Sequence, residues 1–194
     1  MAEEHKVLLA GADGRDLTQL AEYQAVGGYR GVAKARAMTP DALIDELQKA
    51  TLRGRGGAGF PMGRKASLID RSSPKPKYLV VNADESEPGA FKDRQVMAKA
   101  PHRLIEGCLI AAHAIECTDV YIFIRGEYLT EYEILQAAVD DALGARERAG
   151  QVRAHLHEVR PDRREVVHVV EARDRLAVRG RHVERLRDLT ERVG

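Results

Sequence analysis

Two short apolar runs, Tyr78-Leu-Val-Val-Asn82 and Val120-Tyr-Ile-Phe-Ile124, constrain the fold of this chain more than any other feature. Both are rich in β-branched and aromatic residues, the composition of strands that pack on a pleated surface. Between them Leu104, Ile105, Cys108, Leu109, Ala112 and Ile115 recur at helical spacing. Thr130-Glu-Tyr-Glu133 reads as a capping box opening another helix through Ile134, Leu135 and Ala138. Strand, helix, strand and helix joined by short links require parallel pairing, because an antiparallel return needs no crossover helix. The expected class is therefore α/β, built on a Rossmann-like βαβα unit. Asp93 to Lys99 reads as a further helical turn that Pro101 ends.

Upstream, Asp16 is expected to cap a helix through Leu20 and Tyr23 that stops at Gly27-Gly28. Thr39-Pro40 is an N-cap followed by proline at the first helical position, with Leu43, Ile44, Leu47 and Ala50 on one face. These give an N-terminal helical segment, 1–50, ahead of the α/β domain, 51–144. A third segment, 145–194, is set apart by composition. Residues 1–144 carry 18 bases and 21 acids, and residues 145–194 carry 13 bases and 9 acids, every one of those 13 an arginine. Lys99 is the last lysine and Tyr132 the last aromatic ring, so the tail reads as unrelated to the domain before it. Within the tail, Val166 to Val170 suits a strand, and Val183, Leu186, Leu189 and Val193 fit a helix loosely.

Charge and composition exclude several classes of function. A formal net charge of +1 with 5% aromatics and no Trp offers neither an electrostatic footprint nor stacking rings for nucleic acid. No apolar run is long enough to span a bilayer, and Met1-Ala-Glu-Glu-His5 does not open like a signal peptide. Two cysteines, Cys108 and Cys117, make no disulfide framework.

The candidate chemistry lies in two loops. Gly54, Gly56, Gly57, Gly59 and Gly63 fall within ten residues, and Gly54-Arg55-Gly56-Gly57-Ala58-Gly59 satisfies G-x-G-x-x-G. Such loops let backbone N–H groups approach a phosphate closely. The dinucleotide fingerprint follows a strand, whereas a helix precedes this loop, and Arg64 between Gly63 and Lys65 breaks the Walker pattern. The loop reads either as a connector or as an anion site, and the flanking cations Arg55 and Lys65 favour the anion site. The second loop, Asn82-Ala-Asp84-Glu85-Ser86-Glu87-Pro-Gly89, leaves the carboxyl end of a strand, where ligands bind in open α/β sheets. Its carboxylates and amide suit hydroxyls, such as a ribose or ribityl chain, or a carboxamide. With no His or Cys beside them they form no metal set, and His113, His155, His157, His168 and His182 have no metal-site spacing. Cys108 falls on an apolar helix face and reads as core.

Taken together, LRGRGGAGFPMGRK, PKPKYLVVNADESEPGAFKDR, PHRLIEGCLIAAHAI and YIFIRGEY, in that order, resemble the NADH-binding flavoprotein subunit of respiratory complex I, the bacterial NADH-quinone oxidoreductase. The resemblance covers roughly residues 16–143. It implies hydride transfer from NADH to FMN and onward passage of electrons to iron–sulfur centres. Gly54, Arg55, Gly56, Gly57, Ala58, Gly59 and Phe60, with Gly63, would form the nucleotide loop, Phe60 lying near the adenine. Lys65 would meet the flavin phosphate or the nucleotide. Asn82, Asp84 and Glu85 would contact the flavin, and Ser86 and Glu87 the nicotinamide half. No side chain is implied as a catalytic acid or base, since the cofactors carry the hydride.

The resemblance also has departures. The family usually reads F-P-T-G-L-K-W-S-F, where this chain has Met62, Arg64, Ala66 and Leu68 in place of Thr, Leu, Trp and the last Phe. The GEETAL and NNVET motifs of the flavin site and the four cysteines of the family's 4Fe–4S cluster do not occur in residues 145–194, so the unit is expected to be incomplete. The alternatives are a shortened or frameshifted fragment without catalysis, a non-catalytic flavin- or nucleotide-binding module acting through a partner, or the diaphorase subunit of an NAD-linked hydrogenase or formate dehydrogenase. The resemblance implies partner subunits of such an assembly and a cytoplasmic position, peripheral to the inner membrane.

Overall fold

A computed structural model describes residues 6–117, 119–150 and 166–171. Its first three helices are α1 (Leu20–Ala25), α2 (Arg30–Arg36) and α3 (Pro40–Lys49). Thr39 caps α3 as expected, its hydroxyl accepting from the Ala42 amide at 3.2 Å. Asp16 does not cap α1: its carboxylate accepts from the amide and hydroxyl of Thr18 at 3.1 and 2.6 Å. That closes a local Asx turn, which satisfies the side chain before the helix begins.

Helix α4 (Met62–Ser67) follows the glycine loop and leads to β1 (Tyr78–Ala83). Then come α5 (Lys92–Lys99), α6 (Pro101–Ile115), β2 (Asp119–Ile124), α7 (Leu129–Gly150) and β3 (Val166–Glu171). Pro101 both stops α5 and occupies the first turn of α6, where its missing N–H costs nothing. Helix α7 starts at Leu129, one residue before Thr130. The expected capping box is therefore inside the first turn, and the Tyr132 amide bonds the Tyr128 carbonyl at 2.8 Å.

The sheet is parallel throughout, in the order β1-β2-β3. Tyr78 is level with Asp119 and Ala83 with Ile124, while β2 continues the register from Asp119 opposite Val166 to Ile124 opposite Glu171. Right-handed crossovers in one direction put α6 and α7 on the same face, and the two helices pack on each other. Burial follows that arrangement. Val120, Ile122 and Ile124 are 0% exposed and pack with Ile105, Cys108, Ala112, Ile115, Leu135, Ala138 and Val139. Val80, on the opposite face of β1, is 66% exposed.

The arginine-rich segment after residue 144 enters this description twice. Helix α7 continues across residue 144, and β3 lies inside the segment. The helical reading of Val183 to Val193 and His155, His157 and His182 lie outside the described residues. Among the described residues, no helix is long and apolar enough to cross a membrane.

Candidate functional site

The glycine loop is closed at its base and open at its tip. Arg53 and Pro61 form an antiparallel bridge, the Gly54 amide donates to the Phe60 carbonyl at 2.9 Å, and the Met62 amide donates to the Leu52 carbonyl at 2.8 Å. The Arg53 guanidinium spans the loop to the Gly59 carbonyl at 3.2 Å. Gly57 and Gly59 have φ of 111° and 61°, in the left-handed region that costs side-chain-bearing residues free energy. No heavy atom lies within 4 Å of where a Cβ would stand on Gly56, Gly57 or Gly59. The tip thus presents bare backbone to solvent, flanked by exposed Arg55 and Ala58. Phe60 is 43% exposed, and the Arg64 guanidinium lies over its ring, 6.0 Å from the centroid.

Gly63 is different. It is buried, and a Cβ there would meet the Gln48 backbone nitrogen at 2.6 Å. This glycine lets α4 pack on the end of α3 and thereby sets where the loop and Lys65 are held. Lys65 is exposed on α4.

The acidic loop is shaped by its own side chains. Asn82 Oδ1 accepts from the Asp84 amide at 3.0 Å, and the Ser86 hydroxyl donates to Asp84. Asn82, Ser86 and Glu87 are exposed and Asp84 is half-buried. Glu85 turns inward, with φ of 47° and 5% exposure. Its carboxylate accepts from the amides of Asp93 at 2.7 Å and Arg94 at 2.9 Å, the first-turn donors of α5 that have no partner within the helix. The Tyr128 hydroxyl approaches it at 3.4 Å and Lys92 Nζ at 3.9 Å. Burial alone would raise the pKa of this carboxyl, but the two backbone donors, Lys92 and Tyr128 outweigh it and hold it below its ordinary value.

A set of residues that the sequence reading did not single out completes this end of the sheet. Arg125, just past β2, donates to the Glu85 carbonyl at 3.1 Å and to Glu127 at 3.1 Å. Tyr128 lies between two guanidinium groups, Arg125 at 5.3 Å and Arg94 at 5.5 Å from its ring centroid. Arg94 in turn binds buried Glu131 at 2.7 Å. The signal was present in Arg125-Gly-Glu-Tyr128 directly after a strand's carboxyl end, the position where α/β sheets place ligands. Among the described residues, no hydrogen bond or ion pair links the glycine loop to the acidic loop; each is held by its own neighbours.

Comparison with known proteins bears on this arrangement directly. A family model described as the Nuo51 FMN-binding domain matches residues 47–178. The chain belongs to that family. The matched range takes in both loops, the whole βαβα unit and β3. The chain is 47% identical over 137 residues to the second F subunit of NADH-quinone oxidoreductase in Rhizobium meliloti (strain 1021), covering 70% of this chain and 32% of that protein. It is 50% identical over 121 residues to the F subunit of the same enzyme in Aquifex aeolicus (strain VF5), covering 62% and 28% respectively. The chain thus spans about a third of the length of these relatives. Among solved structures, an NAD+-reducing [NiFe]-hydrogenase in its H2-reduced state aligns with a TM-score of 0.61 at 31% identity, over 86% of this chain and 25% of that one. The resemblance read from the motifs is therefore borne out at the level of family and fold.

Cys108 and Cys117 are both buried in the core, where burial pushes the Cys108 thiol up to about 12. Neither fits a cluster ligand, which must present a thiolate at an accessible site.

Proposed function

We propose that this chain forms the FMN- and NADH-binding part of an NADH dehydrogenase flavoprotein of the complex I type. The observation that carries this reading is the glycine loop: a hydrogen-bonded base, three glycines open to solvent at its tip, and cations on both sides. Bare amides with flanking Arg55 and Lys65 fit the phosphates of a nucleotide or of FMN. Bound here, FMN would accept the hydride of NADH, chemistry the cofactors supply themselves.

The chain's own residues bind and orient. Gly54, Arg55, Gly56, Gly57, Ala58 and Gly59 are assigned to the phosphates, Phe60 to the adenine, and Gly63 to the packing that holds them. Lys65 neutralises phosphate charge. Asn82 and Asp84 are assigned to flavin hydroxyls or amides, and Ser86 and Glu87 to the nicotinamide half. Glu85 acts by shaping the loop, since its carboxylate is already engaged by the start of α5. We further propose that partner subunits take the electrons on their iron–sulfur centres, and that the chain works on the cytoplasmic side, attached to the inner membrane through those partners. The likeness to a NAD+-reducing hydrogenase favours one second reading, in which the same module serves as the diaphorase part of a hydrogenase-type assembly.

Flavin binding tests the proposal. Titrating FMN with the purified chain should quench flavin fluorescence, and anaerobic NADH should bleach the bound flavin. FMN whose emission does not change with added protein overturns the reading.

A further inference from the structure

The glycine loop carries more positive charge than the pyrophosphate of NADH can use. No Asp or Glu occurs between Glu46 and Asp70, while Arg53, Arg55, Arg64 and Lys65 all fall in that interval. Arg55, Arg64 and Lys65 make no ion pair with any carboxylate among the described residues. Arg53 bonds only a carbonyl, so its charge is also uncompensated. The pyrophosphate of NADH brings two negative charges to this set of four cations. A ribose phosphate brings close to two more.

The position of Arg64 says where that further phosphate would go. Its guanidinium lies 6.0 Å from the centroid of the half-exposed Phe60 ring, so the charge is held beside the ring assigned to the adenine. The usual family pattern has leucine here, which offers an adenosine ribose no charge. Arginine presents a planar fork that matches a phosphate dianion in two parallel hydrogen bonds. In dinucleotide sites generally, an arginine near the adenosine ribose is what accommodates a 2′-phosphate.

We infer that the loop selects a dinucleotide bearing a phosphate on its adenosine ribose, NADPH in preference to NADH, with Arg64 as the residue that determines the choice. This rests on the assignment of the glycine loop to the nucleotide made above, and the test separates the two. Calorimetric titration of the whole chain with 5′-AMP, 2′,5′-ADP and 3′,5′-ADP should give 2′,5′-ADP binding about tenfold or more tighter than either of the others. Arg64→Leu, at an exposed helical position where leucine is a good helix former, should bring the three affinities together. Arg64→Lys should restore part of the preference, as a point charge without the fork. Equal affinities in the unmodified chain overturn the inference and leave the nucleotide assignment standing. Equal binding of the two ADP isomers, both tighter than 5′-AMP, also overturns it, since charge alone would then explain the gain. A preference that survives Arg64→Leu removes Arg64 from the selection and overturns the inference as stated. Failure of all three ligands to bind overturns both readings.

Discussion

At the scale of single residues, Gly63 and Glu85 show how little a residue type says about its use. Gly63 belongs by spacing to a phosphate-binding loop, yet its missing side chain is occupied by the Gln48 backbone of α3. Gly63→Ala would force a methyl group against a main-chain nitrogen 2.6 Å away, and overpacking of this kind costs about 1–3 kcal/mol. The variant should melt at a lower temperature and also bind FMN more weakly, because α4 carries Lys65. An Ala replacement at Gly56, where a Cβ meets nothing and φ is not left-handed, should leave the melting temperature close to that of the unmodified chain.

At the scale of elements, two helices begin on carboxylates borrowed from elsewhere in the chain. Glu85 accepts from the first-turn amides of α5. Glu106, on α6, accepts from Tyr29, Gly31 and Val32 at 3.0, 2.9 and 3.3 Å, at the start of α2, and takes the Tyr23 hydroxyl as well. Neither helix has a side-chain cap at its own N-cap residue. A lowered carboxyl pKa in the folded state means that Glu85 contributes stability above the ordinary value of 4.5, and that this contribution is lost as pH falls through the folded value. Glu85→Gln should therefore cost about 1–3 kcal/mol at neutral pH, the range for weakening a buried charged hydrogen-bond set. It should also flatten the fall in stability on acidification below pH 4.5, measured by urea unfolding across a pH series. Unchanged pH dependence would mean that the loop is held by Arg125 and Tyr128 without the carboxylate's charge.

The same element scale explains what was legible in the sequence. Thr39-Pro40 and Pro101 act through neighbours in the chain, so their reading survives folding. Thr130 and Glu133 form a correct local pattern, but α7 begins at Leu129, next to a Tyr128 ring fixed between Arg94 and Arg125. Helix α2 escaped notice because its cap comes from a residue 75 positions away from Gly31. The Arg94–Tyr128–Arg125–Glu85 cluster is of the same kind: four residues from three elements that meet only once two strands are parallel and adjacent.

At the scale of the whole molecule, the sheet and the helices α6 and α7 form one core, and its centre is β2. Ile122 is 0% exposed and lies in register between Val81 and Val169. Ile122→Ala should cost about 2–5 kcal/mol through lost burial and a residual cavity, whereas Val80→Ala, on a residue 66% exposed, should cost under about 0.5 kcal/mol. Comparing their urea midpoints checks that one face of the sheet carries the stability. The family match through residue 178 and the pairing of β3 on β2 extend the domain into a segment whose composition differs sharply from the rest. Composition registers which codons and charges a segment uses; strand pairing needs only an extended run that can meet the sheet edge, and Val166–Glu171 supplies one.

The sequence by itself determined the family, the alternation of strands and helices, the parallel pairing and the open cationic glycine loop. Each of these follows from local spacing, chirality or residue chemistry. Only the tertiary structure decided that Gly63 is a packing contact, that Glu85 faces α5 and that Arg64 rests on Phe60. These are contacts between elements, and their partners are chosen by how the helices and strands close on one another, a geometry that no local pattern encodes.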